Sequence, residues 1–205
     1  MSTVIAVEKD GRTVIASDSL TSRGSMACVN SAGLPKISRI GSSFVGSTGL
    51  SVYKNIMEHY LSGKRAPTLK DERSVLDFYI RFWKALHDHY HFVNDQSCAE
   101  DPSPFADLDA EFLVVNRYGI FQVQDILGVT RYERYCAIGS GASHAEGALE
   151  VLIGQDMMAA EIAAEAVRVA MKFDRASGGE VIVHEVQSTS ASRKRRKASR
   201  AKRSR

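Results

Sequence analysis

Ser2-Thr3-Val4-Ile5-Ala6-Val7-Glu8-Lys9-Asp10-Gly11-Arg12-Thr13-Val14-Ile15-Ala16-Ser17-Asp18 is the stretch on which the fold turns. Two runs rich in β-branched residues flank Asp10-Gly11, a dipeptide suited to the positive φ angles of a tight hairpin turn. The reading is a β-hairpin that ends at Asp18, with Val4, Ala6, Val14 and Ala16 on one face.

Beyond the hairpin, Met26 to Asn30 and Ser43 to Val45 read as short strands around the Gly33-Leu34-Pro35 break. From Leu50 the period changes: Tyr53, Ile56, Met57, Tyr60 and Leu61 fall at helical spacing, and Gly63 ends the run. A second helix is predicted from about Ser74, with Leu76, Ile80, Trp83 and Leu86 on its apolar face. His87 to Leu108 reads as a long polar loop containing Pro102 and Pro104. Strands then follow at Glu111–Asn116 and Ile120–Val123 around Arg117-Tyr118-Gly119, and at Tyr135–Ile138 before Gly139-Ser140-Gly141. Helices at Ala142–Ile153 and Ala159–Phe173, the latter burying Ile162, Ala166, Val169 and Ala170, precede a last strand at Val181–Val186. Strands grouped apart from paired helices predict an α+β fold, two sheets between two helical layers.

The length of 205 residues suits one well-filled domain, and the 44% hydrophobic and 25% charged contents are those of a globular protein. No run of eighteen apolar residues is present to span a membrane, and the start lacks a signal-peptide pattern. Cys28, Cys98 and Cys136 form no CxxC, which favours a reducing cytoplasm over a disulfide scaffold. The net charge of +3 hides an asymmetry. Residues 188–205 carry nine Lys or Arg and no acid, so residues 1–187 are net acidic. The domain is therefore placed at 1–187 and the basic tail, expected to be disordered, at 188–205. The tail permits nucleic-acid binding, which the acidic folded part opposes.

Four features carry the chemistry. A small residue after Met1 permits removal of that methionine, which puts a hydroxyl and a free α-amine on Ser2. Such an amine, with a pKa of about 7.7–8.0, can take the hydroxyl proton near neutral pH. Asp18 ends the hairpin. Lys36 offers an ammonium that would lower the amine's pKa and stabilise a developing alkoxide, with an aspartate to orient it. Gly46-Ser47-Thr48-Gly49 reads as a loop just before a helix, where unpaired N–H groups suit an oxyanion. Taken singly, each has a plainer structural reading as turn residue, surface charge or helix entry.

In order and spacing these segments, with Gly139-Ser140-Gly141 and Asp174-Arg175-Ala176-Ser177-Gly178-Gly179, resemble proteasome β-subunits and bacterial HslV. Among bacterial members the likeness is greatest to the betaproteobacterial proteasome homologue. The resemblance runs from residue 2 to about 187 and implies a four-layer αββα sandwich of the N-terminal nucleophile hydrolase type. It implies Ser2 as nucleophile, where the family normally has threonine, and Asp18 and Lys36 as the pair that tunes it. Gly49 would supply the N–H for the tetrahedral intermediate, and Ser140, Asp174 and Ser177 the network around the terminal amine. Thr3 could serve only if Ser2 were also removed, which slips every spacing by one.

The implied activity is that of a self-compartmentalising endopeptidase acting on peptides or unfolded proteins through an acyl-enzyme. The implied assembly is a homo-oligomeric double ring, heptameric rings favoured over hexameric, with an ATP-dependent unfoldase partner left open. His89 to Leu108 is the candidate for a pore-facing extension. An extended substrate would pair between Leu20–Arg23 and Gly46–Gly49. No cofactor is required by this chemistry. A structural monovalent or divalent cation could be held by backbone carbonyls of Met171, Asp174 and Ser177. The alternatives are an inactive structural ring subunit and a small-molecule N-terminal nucleophile amidase.

Two other signals weigh less. His87 and His91 are four apart, but no fourth ligand accompanies them, and a structural zinc site normally needs four. Glu100, Asp101, Asp107, Asp109 and Glu111 read as a solvated acidic loop, which would make a chamber acidic if it lined one.

Overall fold

The computed structural model describes residues 2–23, 26–28, 35–90, 108 and 110–187. The opening hairpin forms as expected: β1 (Val4–Lys9) and β2 (Arg12–Asp18) join through Asp10 and Gly11, both at positive φ. The two-residue turn pairs Lys9 with Arg12, which sets Ala6 opposite Ile15 and Val7 opposite Val14. Facing pairs share a side of the sheet. Val4, Ala6 and Ile15 therefore point one way and Ile5, Val7, Val14 and Ala16 the other, so the expected single face for Val4, Ala6, Val14 and Ala16 is wrong. Both faces are buried, and alternation alone could not reveal the register.

The first sheet has the order β10-β1-β2-β11, adding β10 (Tyr135–Ile138) and β11 (Val181–Gln187) to the hairpin. The second has the order β5-β6-β7-β8-β9, from β5 (Ile37–Ile40), β6 (Ser43–Gly49), β7 (Ala110–Asn116), β8 (Gly119–Val123) and β9 (Val129–Tyr132). All pairings in both sheets are antiparallel. A short ribbon of β3 (Ser22–Arg23) and β4 (Met26–Ala27) stands apart. Strands β5 and β9 were not foreseen, being only four residues long with half-exposed alternation.

Helices α1 (Val52–Leu61) and α2 (Glu72–Ala85) cover the second sheet, and α3 (Ala142–Leu152) and α4 (Ala159–Phe173) cover the first. Asp71 caps α2, its carboxylate accepting from the Ser74 N–H at 2.8 Å. The helix buries Val75, Phe78, Tyr79, Phe82 and Ala85 rather than the predicted Leu76, Ile80 and Trp83 face; Ile80 is exposed. Phe78, Tyr79 and Phe82 take the core side ahead of the predicted stripe, because three rings on one face bury more area. In α4 the core residues include Val167, with Val169 only half-buried. The predicted loop start at His87 is instead a π-helical turn, Leu86–Tyr90, continuing α2. The rest of that segment, 91–107 and 109, lies outside the described residues, as do the proposed pore-facing extension and the 188–205 tail.

The apolar clusters separate the layers. Tyr79, Phe82, Phe112 and Val114 fill the space between α1–α2 and the second sheet. Val4, Ile15, Leu113 and Ile120 fill the space between the sheets, and Ile5, Val14, Ala163 and Ala166 that beneath α3–α4. The architecture is the expected α+β arrangement of two antiparallel sheets between two helical layers.

Candidate active site

The end of β2 carries Asp18, whose side chain is wholly buried. A buried carboxylate needs its lone pairs filled, and four donors converge on it. Oδ1 accepts from the Thr3 N–H at 2.9 Å and from Lys36 Nζ at 2.7 Å. Oδ2 accepts from the N–H groups of Gly178 at 2.9 Å and Leu20 at 3.2 Å. Asp18 thereby joins the start of the chain, the residue before β5 and the loop after α4. Thr3 is wholly buried, and its hydroxyl lies 2.7 Å from that of Ser177.

Lys36 is only 9% exposed at its side chain. Burial pulls its ammonium below the ordinary lysine pKa of 10.5, while the bond to Asp18 works against that fall. Its environment therefore makes the proton easier to lose than on a surface lysine.

A second carboxylate closes the other side. Asp174, following α4, accepts from Ser140 Oγ at 2.7 Å, Ser177 Oγ at 2.7 Å and the Ala176 N–H at 3.1 Å. Burial works to raise its pKa, but the hydroxyl donors hold it below the usual aspartate value. Ser140 lies in the β10–α3 turn, where Gly141 has no room for a side chain: a methyl would overlap the Thr3 hydroxyl and crowd Asp174. The predicted residues thus fall into two linked groups, Asp18 with Lys36 and Ser140 with Asp174 and Ser177, bridged by Thr3.

Ser2, Lys36 and Gly49 line one cavity of about 210 Å³, with Leu20, Thr21, Ser47 and Thr48. Ser2 itself is buried. Gly49 has φ 93°, a backbone state that favours glycine, and sits at the end of β6 opposite Ala110. The expected Gly46–Gly49 loop is in fact strand. It pairs through its length with β7, and Gly46 packs where a methyl would overlap Val4. Gly46 also pairs with Ile37, and the Ser47 N–H donates to the Lys36 carbonyl at 3.0 Å. Lys36 and Ile37 thus already occupy part of the strand edge along Gly46–Gly49 that the expected substrate pairing would use. A larger cavity of about 510 Å³, between β5, β6 and α1, shares Pro35, Ser47 and Lys54 with the first.

Sequence reading missed the part played by Thr3, whose backbone and hydroxyl both enter the network, and by the N–H groups of Leu20 and Gly178. It also placed Glu111 with a solvated loop, whereas Glu111 lies in β7 and accepts from the Gly139 N–H. An acid inside an apolar strand, Ala110 to Val115, was the available signal. Among the described residues no group of three or more His, Cys, Asp or Glu could hold a metal ion; His91 lies outside them.

No protein-family model matches the sequence. Among curated proteins, 62 residues are 42% identical to proteasome subunit beta 1 of Pyrobaculum neutrophilum and 62 are 40% identical to that of Pyrobaculum calidifontis. Each match covers 29% of this chain and 31% of the relative, so the chain matches under a third of the length of those curated relatives. Among solved structures, Thiobacillus denitrificans BPH superposes with a TM-score of 0.82 at 28% identity, over 90% of this chain and 97% of that one. The same protein solved in complex with epoxomicin gives 0.82 and 28%, over 90% of this chain and 98% of that one. Eukaryotic HslV from Trypanosoma brucei superposes at 0.64 with 19% identity, over 90% of this chain and 99% of that one, a likeness of fold.

Proposed function

We propose that this chain, similar over most of its length to Thiobacillus denitrificans BPH and sharing the fold of HslV, is a proteasome-like peptidase whose nucleophile is Ser2, freed by removal of Met1. The observation that carries the reading is the Asp18 carboxylate, which binds Lys36 at 2.7 Å and the Thr3 N–H at 2.9 Å beside the cavity that Ser2 and Gly49 line. The lysine is thereby tied to the beginning of the chain by two hydrogen bonds.

Chemically, the α-amine of Ser2 accepts the proton of its own hydroxyl, directly or through water, as Oγ attacks the substrate carbonyl. The Lys36 ammonium disfavours a second positive charge on the amine, keeping it unprotonated, and steadies the negative oxygen as it forms. The N–H at Gly49 faces the oxyanion. Collapse of the tetrahedral intermediate, with the α-ammonium passing its proton to the departing nitrogen, releases the amine product and leaves an ester on Ser2. Water then hydrolyses it, giving up a proton to the same α-amine, which returns it to Ser2 Oγ. Ser140, Asp174 and Ser177 hold the terminal amine in place. Thr3 is disfavoured as nucleophile because its hydroxyl is buried against Ser177. Epoxomicin in the complex with Thiobacillus denitrificans BPH makes an epoxyketone the natural probe.

We further read the assembly as a double ring of seven-membered rings in the cytoplasm, degrading peptides or unfolded proteins. The buried thiol of Cys136 supports a reducing compartment. Among the described residues no helix is long and apolar enough to cross a membrane.

Steady-state cleavage of a panel of fluorogenic peptides tests the reading. Ser2→Ala should lower kcat on the order of 10⁴-fold, since nothing else supplies the attacking oxygen. Full activity in that variant excludes Ser2. A wild-type chain that assembles yet cleaves neither peptides nor small amides would be a structural subunit, and cleavage of small amides alone would make it an amidase.

A further inference from the structure

The face of β7 that meets the other sheet carries Leu113 and Val115, fully buried with Val4, Ala6 and Ile15. Strand alternation puts Glu111 on that same face. A carboxylate bordering an apolar layer is costly unless its oxygens are hydrogen-bonded, and both are. Oε1 accepts from Gln122 Nε2 at 3.0 Å, and Oε2 accepts from the Gly139 N–H at 3.4 Å. Gln122, on β8, is itself held: the Tyr132 hydroxyl donates to its Oε1 at 2.8 Å, and the Cys136 thiol reaches the same oxygen at 3.9 Å. With the amide oxygen so engaged, its NH₂ faces Glu111, and both Glu111 oxygens act as acceptors. Four strands, β7 to β10, are stitched together by this one chain of side chains.

Gly139 is where the chain meets the proposed nucleophile. It has φ 93°, and a methyl there would overlap both the carbonyl oxygen of Ser2 and the methyl of Thr48. Thr48 is the residue directly opposite Glu111 in the β6–β7 pairing. The next residue after Gly139 is Ser140, whose hydroxyl donates to Asp174. A shift of the Gly139 peptide would therefore move two things at once, the backbone of Ser2 and the hydroxyl of Ser140.

We infer that Glu111 is a positioning residue: by accepting from the Gly139 N–H it presses the Gly139-Ser140-Gly141 turn against Ser2 and fixes where the nucleophile stands. It does not touch substrate. The inference rests on Ser2 being the nucleophile and goes beyond that reading. It also separates two roles for acids near the site, since Asp18 orients Lys36 while Glu111 orients the turn that packs on Ser2.

The test compares Glu111→Leu and Glu111→Gln in the full chain, with kcat referred to the concentration of sites titrated by epoxyketone, so that misfolded protein does not count. Glu111→Leu keeps the volume and leaves the Gly139 N–H without its acceptor. A misplacement of ~1 Å can cost on the order of 10²-fold in rate, so a loss of kcat of at least tenfold with KM within twofold is expected. Glu111→Gln can still offer the Gly139 N–H an acceptor if both amides turn together, with Tyr132 turning to accept and the long Cys136 thiol contact given up. It should recover most of the lost rate. Gln122→Met, which breaks the middle link and leaves Glu111 less firmly held, should lower kcat by a smaller factor and serves if Glu111→Leu does not fold. Per-site kcat unchanged in Glu111→Leu, or in Gln122→Met where that stands in, overturns the inference, as does a Glu111→Gln variant no better than Glu111→Leu. If the wild-type chain forms no adduct at Ser2, the nucleophile reading fails first and this inference falls with it. If wild type reacts at Ser2 and the variants match it per site, the inference alone fails.

Discussion

At the scale of single residues, Asp18 links Lys36, which lines the same cavity as Ser2, to the Thr3 backbone. Asp18 and Lys36 form a buried pair, with side-chain exposures of 0% and 9%. Removing one partner of such a pair leaves a charge without compensation, typically about 3–5 kcal/mol. Asp18→Ala should therefore lose both activity and that order of stability in chemical denaturation, since it also frees the N–H groups of Thr3, Leu20 and Gly178. Lys36→Met should be gentler on stability, because Asp18 keeps its three backbone donors, yet it should be equally inactive. A Lys36→Met variant that keeps the wild-type rate would remove the lysine from the mechanism. The pH profile follows from the same environment. The rate should rise through the pKa of the α-amine, about 7.7–8.0 when unperturbed, and fall again below 10.5 as Lys36 loses its proton. Because the folded chain releases that proton more readily than the unfolded one, this group's contribution to stability increases with pH across that window. The fall in rate is therefore catalytic and should appear while circular dichroism is unchanged. Serine itself offers a further check. It lacks the β-methyl that narrows χ1, so Ser2→Thr should raise kcat roughly threefold by discarding unproductive rotamers.

At the scale of elements, what the chain shows of itself in sequence depends on burial. The β1–β2 hairpin, the strands flanking Arg117-Tyr118-Gly119, the four helices and β11 were legible because turn residues or helical periodicity mark them. Strands β5 and β9 were not, since each owes its form to a neighbour, β6 or β8, rather than to its own four residues. The Gly46–Gly49 segment was misread because glycine and serine signal a loop, whereas here small residues let β6 approach Val4. Gly46→Ala should consequently destabilise by about 1–3 kcal/mol through overpacking, measured by urea denaturation. The α2 face was shifted by one position because Phe78, Tyr79 and Phe82 claim the core ahead of Ile80. Tyr79 brings a buried hydroxyl without a partner among the described residues. Tyr79→Phe should stabilise the chain by about 1 kcal/mol, since it removes an unsatisfied group and keeps the ring; a lower melting temperature would contradict this. The site was legible as motifs, each residue having been named from its short segment. The couplings through Thr3, Gly178 and Glu111 were not, because they join positions as far apart as Asp18 and Gly178.

At the scale of the whole molecule, the two sheets bring residues 2, 18, 36, 49 and 140 to one end of the sandwich, and the loop after α4 brings residues 174 and 177 to the same place. The fold buries Ser2 and Thr3 and ties the Thr3 backbone to the Asp18–Lys36 pair, which is what the proposed chemistry needs. The proposed ring assembly would enclose that end, and native mass spectrometry should find a complex of fourteen copies. Monomers alone would contradict the double ring while leaving the site chemistry standing. Incubating the purified chain with epoxomicin and measuring intact and peptide masses decides whether Ser2 is the nucleophile. Loss of Met1 and one inhibitor per chain attached at Ser2 are expected. A chain that retains Met1 and stays unmodified, or one labelled at a different residue, would contradict it.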